Sequence, residues 1–202
     1  STVVTSEGID VLAKCFGVYE QVAALTRTAM EGNVPFQDAM AQRLRIMSPT
    51  LEGVQSCLAT DEQALTDGMK EVVARLKERG VDLYLVSGGF TVMIEPIAQK
   101  LGIPKDHIFA NKILFDDEGR YKDFDHSAPT SKSGGKPAVV GRLKKSKGYH
   151  TVVMIGDGAT DMEARPPADA FIGYGGQQIR PKVQAGADWF VTSWEQVLGV
   201  LA

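Results

Sequence analysis

The stretch Thr151 to Asp161, TVVMIGDGATD, decides the fold of this chain. Its β-branched apolar run, Val152 to Ile155, is typical of a buried parallel strand. The run ends at Gly156, and the carboxylates of Asp157 and Asp161 follow within five positions. Ligands of open α/β sheets bind beyond the carboxyl ends of the strands. We therefore expect these two carboxylates to face a ligand cleft.

The acidic loop, with the carboxylates of Asp157 and Asp161, predicts a Mg²⁺ site. Mg²⁺ usually takes one or two protein carboxylates and fills its other positions with water and phosphate oxygens. Gly156 and Gly158 have no Cβ, which lets the turn take unusual dihedrals and lets a ligand come close. The alternative is an Asx-turn that only caps the next helix, because Asp and Gly are ordinary turn residues.

The composition is that of an ordinary globular protein. The chain has 202 residues, of which 44% are hydrophobic and 23% charged, enough for one sizeable core and a small appended unit. The formal net charge is −3 and most basic residues are scattered, which argues against nucleic-acid binding as the main role. No apolar stretch approaches the ~20 residues of a membrane span, so no membrane partner is expected.

The two cysteines, Cys15 and Cys57, lie in segments that both predict helices, without metal-ligand spacing. We expect buried or half-buried thiols in a reducing compartment rather than a disulfide. The sequence begins at Ser1 without an initiator Met. A cytoplasmic location is expected, and an organelle such as a plastid stays open because a targeting segment could precede Ser1.

The chain divides into two parts by its pattern of elements. The part from residue 6 to 62 predicts helices only, whereas helices and strands alternate from residue 67 onward. Such alternation implies a doubly wound parallel sheet with helices on both faces and right-handed crossovers. The predicted units are therefore a helical unit, 6–62, and an α/β core made of 1–5 and 63–202.

A candidate anion site follows the predicted strand Val81 to Val86. The hydroxyl of Ser87 and the N–H groups of Gly88 and Gly89 precede a helix start, where free amides and the helix dipole favour negative charge. A plain turn is the alternative interpretation of these three residues.

Lys136 is the third candidate feature, placed at a predicted helix start behind Ser133-Gly134-Gly135. A lysine there faces the positive end of the helix dipole, so an anion is expected to compensate it. Most lysines are solvated surface charges, which is the alternative here. Hydrogen-bond donors for an anion, a lysine and paired carboxylates are together the groups that bind a phosphate and a metal ion. Their joint occurrence is a more specific signal than any one of them.

These residues resemble the haloacid dehalogenase-like phosphatases. Leu85 to Phe90, LVSGGF, is similar to the second motif of that family, Lys136 with its preceding glycines to the third, and Gly156 to Asp161, GDGATD, to the fourth. The similarity runs along nearly the whole chain. It implies a Rossmann-like, doubly wound core with a small helical cap inserted after the first strand, which matches the division drawn from the pattern of elements.

The resemblance is strongest to the members that act on O-phospho-L-serine. It implies Mg²⁺-dependent hydrolysis of this small molecule to L-serine and phosphate through an aspartyl-phosphate, the last step of L-serine synthesis. It assigns the metal to Asp157 and catalytic roles to Lys136, Ser87 and Asp161. The residues that it assigns to substrate binding are Ser1, Glu7, Met30, Arg43, Ser87, Gly88, Gly89, Lys136 and Thr160.

Two departures from the family pattern stand out. Glu31 occupies a position where the family often has a small residue. The first motif, D-x-D-S-T, is represented only by Ser1 and Thr2, so the nucleophilic Asp, the acid/base Asp and the central strand would precede Ser1. We expect the chain to be a fragment of an active enzyme, the alternative being a non-catalytic protein.

Other functions stay open at this point. One is a phosphatase or phosphotransferase of the same fold with another small phosphorylated substrate. A second is a non-catalytic phosphate-binding module, since receiver-type domains also combine an acidic Mg²⁺ site, a hydroxyl and a lysine. The helical unit favours an enzyme, because a cap that closes over the site excludes water. The oligomeric state is also open, with a homodimer as one candidate.

Overall fold

The computed structural model describes residues 1–30, 34–60 and 63–201. The helices in this part of the chain are α1 (Gly8–Cys15), α2 (Tyr19–Met30), α3 (Phe36–Met47), α4 (Leu51–Thr60), α5 (Met69–Glu78), α6 (Thr91–Lys100), α7 (Gly135–Lys147), α8 (Ala159–Met162), α9 (Pro181–Gly186) and α10 (Trp194–Val200). The strands are β1 (Leu85–Phe90), β2 (Ile108–Asn111), β3 (Ile113–Phe115), β4 (Tyr121–Phe124), β5 (Val153–Gly156), β6 (Ala170–Tyr174) and β7 (Trp189–Val191). None of these helices has the length and apolar character that crossing a membrane requires.

Helices α1 to α4 follow one another before the first strand. The chain enters and leaves this helical part at one place, because Val4 and Leu65 form an antiparallel bridge. Backbone hydrogen bonds of 3.0 Å from Thr5 N to the Ala64 oxygen and from Thr66 N to the Val3 oxygen hold the two segments together. The boundaries of a cap at residues 6 and 62 stay a prediction.

The helical part packs onto the rest of the chain through a shared hydrophobic core. Helix α1 turns its apolar residues inward, and α2, α3 and α4 each contribute buried side chains to the same cluster. Phe90 and Met93, around the start of α6, and Phe124 of β4 close it. The fully or largely buried members are Val11, Leu12, Ala13, Val22, Met40, Leu44, Met47, Val54, Cys57, Phe90, Met93 and Phe124.

A disulfide joins Cys15 at the end of α1 to Cys57 in α4. The expectation of free thiols was therefore wrong. The two Cα atoms lie 5.8 Å apart, within the range that a disulfide needs. Sequence spacing could not reveal this, because the pairing depends on how α1 and α4 pack against each other across 42 positions.

Two parallel sheets and one hairpin form the rest of the molecule. Strand β1 pairs with β2, and β5, β6 and β7 form a second parallel sheet in that order. Strands β3 and β4 are antiparallel. Side chains of both parallel sheets and of α5, α6 and α10 share one core, which Val3 and Val4 also join. The α/β class with parallel, helix-covered strands is confirmed.

Strand β1 begins later than the sequence predicted. The prediction placed a strand at Val81 to Val86 and a loop at Ser87 to Gly89, but the strand runs from Leu85 to Phe90 and includes the Ser-Gly-Gly segment. Its pairing with β2 shifts register between Val86 and Phe90. Such an irregularity leaves local backbone groups outside the ladder, and glycines accept it readily.

Candidate active site

The acidic loop after β5 keeps its shape through Asp161. Gly158 is the N-cap of the short helix α8, and its N–H donates to Asp161 Oδ2 at 3.0 Å. A Cβ at Gly156 would lie only 2.1 Å from Asp161 Cγ, so only glycine fits at the end of this strand. Asp161 therefore does cap the turn, as the alternative interpretation predicted, because its Oδ2 accepts the Gly158 N–H.

The second Asp161 oxygen contacts the lysine. Lys136 is the second residue of α7, and its Nζ donates to Asp161 Oδ1 at 2.5 Å. The Lys136 side chain is 16% exposed and that of Asp161 9%, so neither is a solvated surface charge. Of the two aspartates in the acidic loop, Asp161 is therefore the one that contacts the lysine.

Asp157 accepts hydrogen bonds from residues that are distant in the sequence. Its Oδ1 accepts from the Ser1 nitrogen and from Thr2 Oγ1, each at 2.8 Å. Its Oδ2 lies 3.5 Å from Arg180 Nη2. Burial alone would raise the pKa of the Asp157 carboxyl, but the Ser1 amino group, the Thr2 hydroxyl and Arg180 outweigh burial and hold that pKa below its ordinary value. The carboxylate is therefore ionised at neutral pH.

Glu7 is the second acidic group beside Ser1, after Asp157. Glu7 Oε1 accepts from the Ser1 nitrogen at 3.0 Å and from Ser1 Oγ at 2.9 Å. Arg180 Nη2 lies 4.0 Å from the same oxygen. The Glu7 side chain is 49% exposed, so it faces solvent at the rim while Asp157 lies deeper.

Arg180 is a site residue that sequence reasoning missed. It precedes α9 and approaches both Asp157 and Glu7. Its Nε is buried and has no hydrogen-bond partner among the residues that the structure describes. No motif marks this arginine, and the only local signal is its place before Pro181 at a helix start.

The Ser87–Gly89 segment lies on β1 rather than in a loop. Ser87 Oγ accepts from Gly89 N at 3.0 Å, so this amide is occupied by the serine hydroxyl. A Cβ at Gly88 would lie 2.7 Å from the ring of Phe36, which begins α3. The buried amide of Asn111, which sequence reasoning also missed as a site residue, donates to the Gly88 oxygen at 2.8 Å.

Arg43 on α3 carries an unpaired buried atom as well. Its Nε has no hydrogen-bond partner in the described part of the chain. Burial lowers the pKa of Arg43, and the charge of nearby Asp10 acts in the opposite direction. Asp10 itself has a raised pKa, first because of burial and then because of the Glu7 charge. Buried polar atoms are usually hydrogen-bonded, so the Nε of Arg43, which has no partner among the described residues, fits a site that binds an anionic ligand.

The structure thus unites part of the predicted set. Ser1 contacts both Glu7 and Asp157, and Lys136 contacts Asp161. Gly88, in the Ser87–Gly89 segment, bonds instead to Asn111. Thr160 is exposed on α8, next to Asp161. Glu31 lies outside the described residues, and so does the side chain of Met30.

The donor set for a metal is small. Within the described ranges there is no group of three or more His, Cys, Asp or Glu side chains that could hold an ion. Asp157 and Asp161 offer carboxylate oxygens at the carboxyl end of β5. Hard oxygen donors in such low number suit Mg²⁺ more than the transition metals, which favour imidazole and thiolate ligands.

Comparisons with known proteins agree on one family. A model of haloacid dehalogenase-like hydrolases matches residues 2–169. The chain is 49% identical over 201 residues to the phosphoserine phosphatase of Bos taurus, covering 100% of this chain and 89% of the bovine protein.

Solved structures extend this similarity to three dimensions. A substrate-bound phosphoserine phosphatase superimposes with a TM-score of 0.86 at 28% identity, over 100% of this chain and 94% of the other. A phospho-aspartyl intermediate analogue of phosphoserine phosphatase superimposes with a TM-score of 0.84 at 28% identity, over 99% and 94% of the two chains.

Proposed function

The chain belongs to the haloacid dehalogenase-like hydrolases, and we propose that it is a phosphatase that hydrolyses O-phospho-L-serine to L-serine and inorganic phosphate. The proposal rests on 49% identity to the bovine phosphoserine phosphatase along the whole chain and on the similarity to the substrate-bound structure. Release of L-serine suits the final step of serine synthesis.

One observation carries the proposal. The acidic loop after β5 is met by basic or donor groups from three other segments: Ser1 with Thr2, Arg180, and Lys136 at the start of α7. Carboxylates and cations held this close in a partly buried place lose much of their hydration. A phosphate monoester that enters such a place meets fixed charges instead of water, which is the main source of catalysis in phosphoryl transfer.

We assign the phosphoryl group to Ser87, Gly88, Gly89 and Lys136. The Lys136 ammonium supplies positive charge, and Asp161 holds it in place at 2.5 Å. The Ser87 hydroxyl accepts from Gly89 N, which leaves its own proton free to donate to a phosphoryl oxygen. Positive charge and hydroxyl donors stabilise the transition state where charge spreads over the phosphoryl oxygens.

Mg²⁺ is part of the proposal, with Asp157 as its protein ligand and Asp161 nearby. The residues fit, because Asp157 is partly buried, ionised and placed at the strand end with oxygen donors only. When bound, the ion would neutralise charge on phosphoryl oxygens. The approach of the Arg180 guanidinium to Asp157 supports a positive charge at this position.

The amino-acid part of the substrate falls to residues of the helical part. Glu7 offers a carboxylate to the substrate ammonium, and Arg43, whose buried Nε has no partner among the described residues, offers a guanidinium to its carboxylate. Arg180 lies between Asp157 and Glu7, where it can also face an anionic group. Ser1, Met30 and Thr160 complete the proposed set.

The nucleophile is assigned through the family. The resemblance places an Asp-x-Asp directly before Ser1, and the intermediate analogue of the related phosphatase is a phospho-aspartate. The Ser1 nitrogen lies 2.8 Å from Asp157, so the backbone at Ser1 is already at the carboxylates. Attack by the first Asp would form an aspartyl-phosphate and release L-serine, and water would then release phosphate.

The test extends the chain upstream of Ser1 with the segment that precedes the matching position in the bovine relative. We expect this protein to release phosphate from O-phospho-L-serine in the presence of Mg²⁺ and to stop when the ion is chelated. A matched variant with the first Asp of the motif replaced by Asn should be inactive. No turnover by the extended, folded protein would refute the proposal.

A second arm of the test addresses the substrate. Arg43→Met should raise KM for O-phospho-L-serine strongly and leave hydrolysis of an aryl phosphate nearly unchanged, since only the former has a carboxylate. Equal losses on both substrates would reject the assigned amino-acid contacts and favour another small phosphorylated substrate.

A cytoplasmic location and assembly into a homodimer stay proposals. Cell fractionation followed by immunoblotting tests the first, and sedimentation equilibrium of the purified protein tests the second. A small-molecule substrate is the only partner that the mechanism needs.

A further inference from the structure

Asn111 is a fully buried polar residue at the end of β2, with an exposed fraction of 0%. Its Nδ2 donates to the Gly88 oxygen at 2.8 Å and to the Thr130 oxygen at 3.3 Å. Its Oδ1 accepts from Thr130 Oγ1 at 2.9 Å. One side chain therefore ties the Ser87–Gly89 segment of β1 to Thr130.

Thr130 lies in a short 3₁₀ turn, Pro129–Ser131, that leads directly to the lysine. A Cβ at Gly135 would lie 2.1 Å from the Pro129 oxygen and 2.8 Å from Thr130 Cα. The turn thus presses against the first residue of α7, and Lys136 follows at once. Thr130 is 4% exposed, so its contact with Asn111 is shielded from water.

The same amide reaches the helical part of the molecule. Asn111 Nδ2 lies 3.7 Å from Met40 Sδ on α3, the helix that also carries Arg43. The backbone carbonyl oxygen of Asn111 accepts a hydrogen bond from Thr91 Oγ1 at 3.2 Å, and Thr91 is the first residue of α6. Asn111 is therefore the residue at which β1, the turn before α7 and α3 meet.

We propose that Asn111 and Thr130 are positioning residues that fix the spacing between the Ser87 hydroxyl and the Lys136 ammonium, and so set the affinity for the phosphoryl group. The inference rests on the proposed function, in which those two groups hold phosphate. A buried amide costs free energy unless both its ends are bonded. Here Asn111 Nδ2 donates to the Gly88 oxygen and Asn111 Oδ1 accepts from Thr130 Oγ1. Both hydrogen bonds can form only when β1 and the 3₁₀ turn lie at one fixed distance from each other.

The pairing explains why apolar residues would not serve at these positions. A leucine at position 111 would fill similar space, but the Gly88 oxygen and the Thr130 hydroxyl would lose their partner. Low dielectric strengthens such bonds and makes their geometry strict. A small error in the separation of phosphate donors is costly, because catalysis depends on groups placed within a fraction of an ångström.

Two isosteric or conservative changes test the inference. Thr130→Val removes the hydroxyl with little change of shape, and Thr130→Ser keeps it. Binding of inorganic phosphate to the 202-residue chain is measured by calorimetry. We expect Thr130→Val to weaken phosphate binding about tenfold, which corresponds to ~1.4 kcal/mol, and Thr130→Ser to bind as the parent does. Asn111→Asp, which replaces the donor to Gly88 with an acceptor, should weaken it further.

Kinetics of the extended protein separate positioning from general destabilisation. Thr130→Val should reduce kcat/KM for O-phospho-L-serine and for an aryl phosphate by the same factor, because both present the same phosphoryl group. Val197→Ala, a change of a buried residue in α10, lowers stability and should leave both values unchanged. If Thr130→Val does not fold, Thr130→Ala removes the same hydroxyl without added bulk.

The outcomes distinguish the inference from the proposed function. Parent-like phosphate binding by folded Thr130→Val and Asn111→Asp would overturn the positioning role, whatever the substrate. Weakened binding in these variants, rescued in Thr130→Ser, supports it. If the extended parent protein binds phosphate but does not hydrolyse O-phospho-L-serine, the proposed function fails while the phosphate site and its positioning pair stand.

Discussion

Lys136 Nζ lies 2.5 Å from Asp161 Oδ1, and the other oxygen of the same carboxylate accepts the Gly158 N–H. Asp161 therefore has two roles. It binds the Lys136 ammonium, and it fixes the shape of the acidic loop that carries Asp157. Removing one member of a buried pair leaves an uncompensated charge, which costs more than the pair itself contributes. The pair therefore couples the stability of the loop to the function of the site.

The first prediction concerns the lysine itself. Lys136→Ala should lower kcat for O-phospho-L-serine about a hundredfold, on the scale of ~3 kcal/mol for the loss of one group that stabilises transition-state charge. Steady-state kinetics of the extended protein measure it. Lys145→Ala is the control, since Lys145 is exposed on the same helix. A Lys136→Ala variant with kcat close to the parent's would contradict the role of this ammonium.

The second prediction uses the close contact at the end of β5. Gly156→Ala would place a Cβ 2.1 Å from Asp161 Cγ, so Asp161 must move and its contact with Lys136 is lost. Overpacking of this kind costs about 1–3 kcal/mol of stability. Gly199→Ala in α10 is the matched control, because its Cβ would meet nothing within 4 Å and alanine is the better helix former. Urea unfolding of the two variants gives the comparison, and equal midpoints would show that the site tolerates a Cβ.

The third prediction concerns pH and Asp10. Burial first, and then the Glu7 charge, raise the pKa of Asp10 above its ordinary value of 3.8. The folded state then binds the proton more tightly than the unfolded state, so ionised Asp10 costs stability at any pH above the raised pKa. Asp10→Asn should melt at a higher temperature than the parent at pH 7, and the difference should vanish as the pH falls below the ordinary value. Thermal melts across this range measure it. A lower melting temperature for the variant at neutral pH would oppose the assigned environment.

Sequence reasoning reached the charged part of the site because its signals are local. Asp157 and Asp161 follow a β-branched run, and Lys136 follows two glycines at a helix start. Each of these patterns places its residue at one edge of a parallel sheet by the rules of strand and helix ends. The proximity of Lys136 to the acidic loop was predicted for that reason, whereas its direct contact with Asp161 was not.

The residues that were missed act through contacts distant in sequence. Asn111 bonds Gly88 and Thr130, which are 23 and 19 positions away in the sequence. Arg180 approaches Glu7, which lies near the other end of the sequence. No period or spacing encodes such pairs, because they depend on how finished elements pack. The start of β1 at Leu85 has the same origin, since its partner strand β2 sets where the ladder begins.

The last prediction concerns the disulfide between Cys15 and Cys57. Closing a loop of this length, with a sequence separation of 42, restricts the unfolded chain and stabilises the fold by about 4 kcal/mol in the chain-entropy estimate. Reduction with dithiothreitol should therefore lower the free energy of unfolding in urea by up to that amount. The double variant Cys15→Ala with Cys57→Ala is the control, and dithiothreitol should not change it. Two titratable thiols in the native, unreduced protein would contradict the bond, because Cys15 is exposed and would react at once if it were free.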